Sequence, residues 1–229
     1  MSLGWHDSCF ILHLMPRLPR IVIPGLPHHI TQRGNRRQKT FFEEVDYKTY
    51  LESMSLACKR FDVKIWAYCL MSNHVHLIVV PSSSKSLAKA IGSGHESYTR
   101  YINFKKKWRG YLWQGRFGSY VMDDKHLYNA ARYVELNPLM ARIVKKPEDY
   151  PWSSAKAHLQ QADDPFVDPK PLLDLYPNWQ EYLQEGYKMA LYRKMENHLR
   201  TGRPFGSAKF LSQLEKQTGL DLLPKSRKK

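Results

Sequence analysis

"VKIWAYCLMSNHVHLIVV", residues 63–80, holds two runs rich in β-branched and aromatic side chains, separated by Ser72 and Asn73. A short polar break between two such runs reads as a hairpin, so the strands pair antiparallel. Side chains alternate between the faces of a strand. His74, His76, Ile78 and Val80 therefore share one face, and Val75 and Leu77 point the other way. That stripe is apolar except at its mouth, where two imidazoles stand side by side.

Outward from the hairpin, the texture alternates. "PHHITQR" (27–33) reads as a strand closed by the turn "GNRR", and "VDYKTYLESMSLACKRF" (45–61) has apolar residues at helical spacing. After the hairpin, Pro81 and a serine cluster lead into a helix predicted from Leu87 to about Lys106, weakened in its first half by Gly92 and Gly94. A strand is predicted from Arg116 to Met122. "DDKHLYNAARYVELN" follows as a helix, with acids at its N-terminus and Pro138 ending it and opening another short helix.

The order β-α-β-β-α-β implies an α+β fold: a ferredoxin-like antiparallel sheet with helices packed on one face and the other face free for a ligand. The expected organisation is a leader over 1–14, a catalytic domain over 15–152, and a helical C-terminal extension over 153–229 ending in the basic tail "PKSRKK". Met15 reads as a natural start.

Charge narrows the function. The 229 residues carry 36 Lys and Arg against 21 Asp and Glu, a formal net charge of +15, which favours a polyanionic partner. The excess is clustered. No acid lies between Ser8 and Phe42, and none from Arg100 to Tyr120, where six basic residues interleave with seven aromatics. No apolar stretch is long enough to span a bilayer, so no membrane association is expected. Three cysteines (Cys9, Cys58, Cys69) without CxxC spacing suggest a reducing, cytoplasmic setting and no zinc site.

A His-x-His pair at a strand mouth in a basic chain reads as metal ligation, although neutral histidines also sit in cores when each ring nitrogen finds a partner. "RYVELNP" offers a third ligand. Tyr133 and Asn137 are one helical turn apart, so an Asn137 amide oxygen could ligate a hard divalent ion beside the Tyr133 phenol. A phenolate so placed can attack a metal-polarised phosphate. The plainer alternatives stand beside this: Asn137 as the N-cap of the helix begun by Pro138, and Tyr133 as a core residue.

"NHVHLIV" followed by a helix bearing "YVELNP" resembles the HUH single-strand transposases, and more closely the REP-associated tyrosine transposases. "MPRLPRIVIPGLPHHITQRGNRRQ", "LWQGRFGSYVMDD" and "RTGRPFGSAKFLSQLE" resemble further segments of that family, so the likeness covers most of 15–218. The resemblance implies that His74, His76 and Asn137 bind Mg²⁺ or Mn²⁺. It implies that Tyr133 attacks single-stranded DNA, leaving a 5′-phosphotyrosine and a free 3′-OH, at hairpin-forming repeats. Tyr128, the rival phenol, is followed four residues later by Arg132 instead of an Asn.

The resemblance also assigns the basic stretches to DNA: Arg33, Asn35, Arg36 and Arg37 after the first strand, and Lys106, Trp108 and Arg116 in the aromatic stretch. The expected partner is single-stranded or hairpin DNA, with the protein a monomer or a homodimer. The competing readings are a non-catalytic single-stranded nucleic-acid-binding module and a metal hydrolase that uses water. The first predicts aromatics where His74 and His76 stand, and the second makes Tyr133 dispensable.

Overall fold

The computed structural model describes residues 20–186 and 189–222. The leader 1–14, Met15, Cys9 and the tail 224–229 lie outside the described residues. Four strands, β1 (His28–Arg33), β2 (Val63–Met71), β3 (His74–Pro81) and β4 (Gly118–Val121), form one antiparallel sheet in the order β2-β3-β1-β4. The predicted hairpin is present, with Met71 opposite His74. A bulge between Ile65 and Ala67 shifts the alternation of β2. In consequence Val63, Ile65, Tyr68 and Leu70 face one core, while Ala67, Cys69 and Met71 face another.

Helices α1 (Glu44–Arg60) and α2 (Ser86–Lys106) cover the first face, packing on Ile30, Val75, Leu77 and Val79. A capping box starts α1. Glu43 caps the helix, and the Asp46 carboxylate accepts the backbone N–H groups of Phe42 and Glu43. The same buried carboxylate accepts the Tyr101 hydroxyl at 2.9 Å and Lys105 Nζ at 2.6 Å, which ties the start of α1 to the end of α2. Gly94 permits the close approach of the two helices, because a Cβ there would stand 2.8 Å from Met54 Cε. The glycine read as a helix weakener is a packing device.

The second face is not free. Helix α3 (Asp124–Met140) lies across β2 and β3, capped by Asp123, whose side chain accepts from the His126 N–H. Helix α3 also runs through Pro138 instead of ending there. The proline falls in the final turn, where a single backbone hydrogen bond is lost, and its ring is buried. Asn137 is therefore a helix-interior residue and not the N-cap of a further helix.

The predicted strand 116–122 is shorter at both ends. Gly115, with φ of +65°, turns the chain and leaves Arg116 and Phe117 on a cavity wall, and Met122 pairs with Phe205 instead. After Trp152 come the short helices α4 (Ala155–Gln160), α5 (Lys170–Leu175) and α6 (Trp179–Gln184), which share a core with α3. Helix α7 (Met189–Thr201) packs on β4 and β1, and α8 (Ala208–Thr218) joins a smaller cluster with Ile21, Ile23 and Val121. Between α3 and α7 the second face stays open as a cavity of about 450 Å³. No described helix is long and apolar enough to cross a membrane.

Candidate active site

The cavity floor is the sheet. Register sets Thr31 opposite His76 and Arg33 opposite His74, so these four side chains share the face that α3 and α7 flank. The two imidazoles meet edge-on, with ring centroids 5.1 Å apart. His74 Nδ1 lies 2.7 Å from Asn73 Oδ1, and the Asn73 amide nitrogen donates to the Arg37 carbonyl. Asn73 Oδ1 can only accept, so His74 carries its proton on Nδ1 and its lone pair on Nε2.

His76 is buried and bonds through Nδ1 to His29 Nε2 at 3.0 Å, and His29 Nδ1 reaches the Tyr120 hydroxyl at 2.9 Å. When His76 donates from Nδ1, its Nε2 lone pair faces the Tyr133 hydroxyl, 3.5 Å away. Burial and the Arg33 charge push His74 down to about 4. Burial, with neighbouring imidazoles and Arg33, holds His76 well below the usual histidine range. Both rings are therefore neutral, as metal ligands must be, and each is braced through its other nitrogen.

Tyr133 comes from α3 and is only 5% exposed. Burial raises its phenol above the usual range, and bonding from Asn137 acts in the opposite direction. The structure thus brings together His74, His76, Tyr133 and its helical neighbour Asn137. Among the described residues no cluster of three or more His, Cys, Asp or Glu is arranged for a metal ion. The groups here that could hold a divalent ion are the His74 and His76 imidazoles and, one helical turn from Tyr133, the Asn137 amide oxygen.

The walls are cationic. Arg20, Arg33, Arg116 and Arg200 line the cavity with Gln114, and Glu196 is its one lining carboxylate. Burial and the nearby Arg116 charge lower the Arg20 guanidinium to about 10, a crowding that an incoming phosphate would relieve. Arg36 and Arg37 stand outside the cavity, exposed on a turn with left-handed φ of 51° and 60°. Contacts of the Gly34 N–H with the Asn73 carbonyl and of the Asn35 N–H with the Leu112 carbonyl hold that turn. Non-glycine residues adopt that conformation at a cost of about 1 kcal/mol each, and it aims both guanidiniums outward.

Lys106 and Trp108 lie apart from the cavity. Lys106 Nζ sits 4.2 Å over the Phe42 ring, and Trp108 packs edge-on against the same ring beside the exposed Phe104. Sequence reasoning missed His29, Tyr192 and Glu196. A second histidine at an alternate position of "PHHITQR" is the only signal for His29, while Tyr192 and Glu196 belong to a helix whose placement no local pattern reveals.

The fold resembles that of a solved protein, and a family model matches the sequence. A solved structure of a REP-associated tyrosine transposase bound to a REP hairpin superposes with a TM-score of 0.56 at 18% identity, covering 67% of this chain and 92% of that one. A putative transposase from Deinococcus radiodurans, at 14% identity, covers 52% of this chain and 95% of its own with a TM-score of 0.38. No curated protein sequence matches. The family model described as IS200-like transposase matches residues 23–137, half of the chain, from the first strand through Tyr133 to Asn137. By that match over the sheet, the paired histidines and the tyrosine helix, the chain belongs to the IS200-like transposase family.

Proposed function

We propose that the protein is a metal-dependent tyrosine transposase that cleaves and rejoins single-stranded DNA at hairpin-forming repeats. The observation that carries this reading is the Tyr133 hydroxyl 3.5 Å from His76 Nε2 on the floor of an arginine-lined cavity. The hairpin named with the solved relative supports the substrate class, and the net charge of +15 suits any nucleic acid.

Arg20, Arg33 and Arg116 would hold the scissile phosphate and its neighbours against Tyr133. His74, His76 and Asn137 would hold the divalent ion, which when bound polarises a phosphate oxygen and favours the phenolate that burial alone disfavours. The Tyr133 phenol gives its proton to solvent, its Oη attacks phosphorus, the P–O3′ bond breaks, and the departing 3′ oxygen takes a proton from solvent, leaving a 3′-OH and a 5′-phosphotyrosine. Attack by a 3′-OH on that phosphotyrosine reverses the step and joins strands. His29 and Asn73 hold the imidazoles in the ligating tautomer.

The Tyr133 hydroxyl lies 3.5 Å from His76 of the same chain, which supports a centre assembled without a helix from a second copy. The free thiols of Cys58 and Cys69 accord with action in the cytoplasm. The test is covalent capture of labelled hairpin and linear single-stranded oligonucleotides with Mg²⁺ or Mn²⁺, read on a denaturing gel. A metal-dependent protein–DNA adduct that disappears in Tyr133→Phe and His76→Ala is expected. Cleavage retained in Tyr133→Phe would establish a water-using hydrolase, and binding without cleavage on any strand would establish a binding module.

A further inference from the structure

The family match ends at Asn137, yet one wall of the cavity comes from α7, some fifty residues further on. This helix is docked on the sheet through its last turn. Gly118 of β4 admits the Leu199 carbonyl, which would lie 3.0 Å from a Cβ at that position. His198 stacks on Phe205 with centroids 4.3 Å apart and lies 5.9 Å from Tyr120, the terminus of the Tyr120–His29–His76 chain.

Docked in this way, α7 sets the Tyr192 ring 5.1 Å from the Tyr133 ring, and the two hydroxyls are hydrogen-bonded. The Tyr192 hydroxyl in turn donates to Glu196 Oε1 at 2.7 Å, one turn further along the helix. Tyr133 is thus gripped from two sides, by Asn137 on its own helix and by Tyr192 on α7.

We propose that Tyr192, itself fixed by Glu196, is a positioning residue that aims the Tyr133 hydroxyl for in-line attack on phosphorus. The inference rests on the tyrosine-transposase reading above. A phenol has a long lever from its backbone, and attack requires reacting atoms about 3 to 3.5 Å apart and aligned, so a displacement of about 1 Å costs roughly 100-fold in rate. The Tyr192 ring packs against the nucleophile ring at a tilt of 50° and its hydroxyl meets the phenol oxygen, so it constrains both the ring and the tip. Residues 189–201 are in this view part of the catalytic unit and not an appendage.

The experiment is single-turnover cleavage of a hairpin oligonucleotide by the full-length protein, with DNA affinity measured alongside. Tyr192→Phe keeps the ring and loses the hydroxyl. It is expected to slow adduct formation about 10-fold with KM and DNA affinity unchanged, and Tyr192→Ala is expected to slow it further. Glu196→Ala, at an exposed position that folding tolerates, should resemble Tyr192→Phe. Glu196→Gln, which still offers an amide oxygen, should restore the rate to within a few-fold. Wild-type rates in Tyr192→Phe and Glu196→Ala would overturn the inference. So would faster cleavage, which would make α7 a cover over the nucleophile, or a raised KM at unchanged kcat, which would make Tyr192 a DNA contact. If the wild-type protein forms no Tyr133 adduct at all, the transposase reading falls and this inference falls with it.

Discussion

Glu135 and His158 form a fully buried ion pair at 2.6 Å, two residues along α3 from Tyr133. The Glu135 carboxylate also accepts Ser154 Oγ at 2.6 Å and Trp179 Nε1 at 2.7 Å, so three donors from the C-terminal extension fasten the tyrosine helix. Burial alone would lower the His158 pKa, but contact with Glu135 outweighs it and the net shift is upward. A group whose folded pKa is raised lends stability that is complete below its unfolded pKa of about 6.5 and fades as pH rises through the folded value. The melting temperature should therefore fall as pH climbs above about 6.5, and this part of the slope should vanish in His158→Ala. That variant should also lose about 3–5 kcal/mol, because it strands a buried carboxylate. Thermal melts across pH 5.5–9 check both. A slope identical in the variant would assign the pH dependence elsewhere.

The α1–α2 contact gives a paired test at two glycines of one helix. A Cβ at Gly94 would lie 2.8 Å from Met54 Cε and 3.2 Å from Met54 Cα, whereas a Cβ at Gly92 would meet nothing within 4 Å. Alanine improves helix propensity by about 1 kcal/mol at either position, but overpacking costs about 1–3 kcal/mol. Gly92→Ala should stabilise the protein by up to about 1 kcal/mol. Gly94→Ala should destabilise it by up to about 2 kcal/mol. Chemical denaturation separates the two, and equal effects would show that the helices can spread at no cost.

The contrast between those glycines marks how far the sequence is readable. Periodicity two placed His74 and His76 on one face, and periodicity 3.6 placed Asn137 one turn from Tyr133, because both relations are local and fixed by backbone geometry. Three features rest on long-range packing and leave no local trace. The bulge at Ile65–Ala67 splits β2 between two cores. Helix α3 closes the face that an amphipathic reading left open and carries Pro138 in its last turn. Tyr192 reaches Tyr133, and Glu196 the cavity, only because α7 returns to β4. Lys106 and Trp108 share a basic, aromatic stretch with Arg116, yet only Arg116 lines the cavity. Composition predicts a polyanion-binding surface without saying which part of it borders the cavity.

His29 offers a test of the bracing behind the paired histidines. It is fully buried, 3.0 Å from His76 on one side and 2.9 Å from Tyr120 on the other, and touches no solvent. Removing a partner that orients a ligating imidazole typically costs 10–100-fold in metal affinity or activity. His29→Phe keeps an aromatic ring without its nitrogens and should weaken Mn²⁺ binding by about that factor, with a lowered melting temperature because the larger ring leaves the His76 and Tyr120 groups unpaired. Titration of the protein with Mn²⁺, followed by calorimetry without DNA, reads it directly. Undiminished affinity would mean that His76 is oriented without His29.

The cavity arginines and the arginines on the outer turn should differ in what they do to DNA. Arg116 lines the cavity with Tyr133, whereas Arg36 is exposed on the turn beside Asn73. Each phosphate contact to a single strand contributes about 0.7 to the slope of log K against log salt concentration. Arg36→Ala and Arg116→Ala should each lower the magnitude of that slope by about 0.7 if each guanidinium holds one phosphate. They should part company in catalysis. Arg116→Ala should slow adduct formation at saturating DNA, because its charge acts on the phosphate under attack, whereas Arg36→Ala should restore full rate once DNA is saturating. Binding titrations between 50 mM and 300 mM salt, followed by cleavage at saturating substrate, separate the two roles. Equal rates in both variants would move the scissile phosphate away from Arg116 and its side of the cavity.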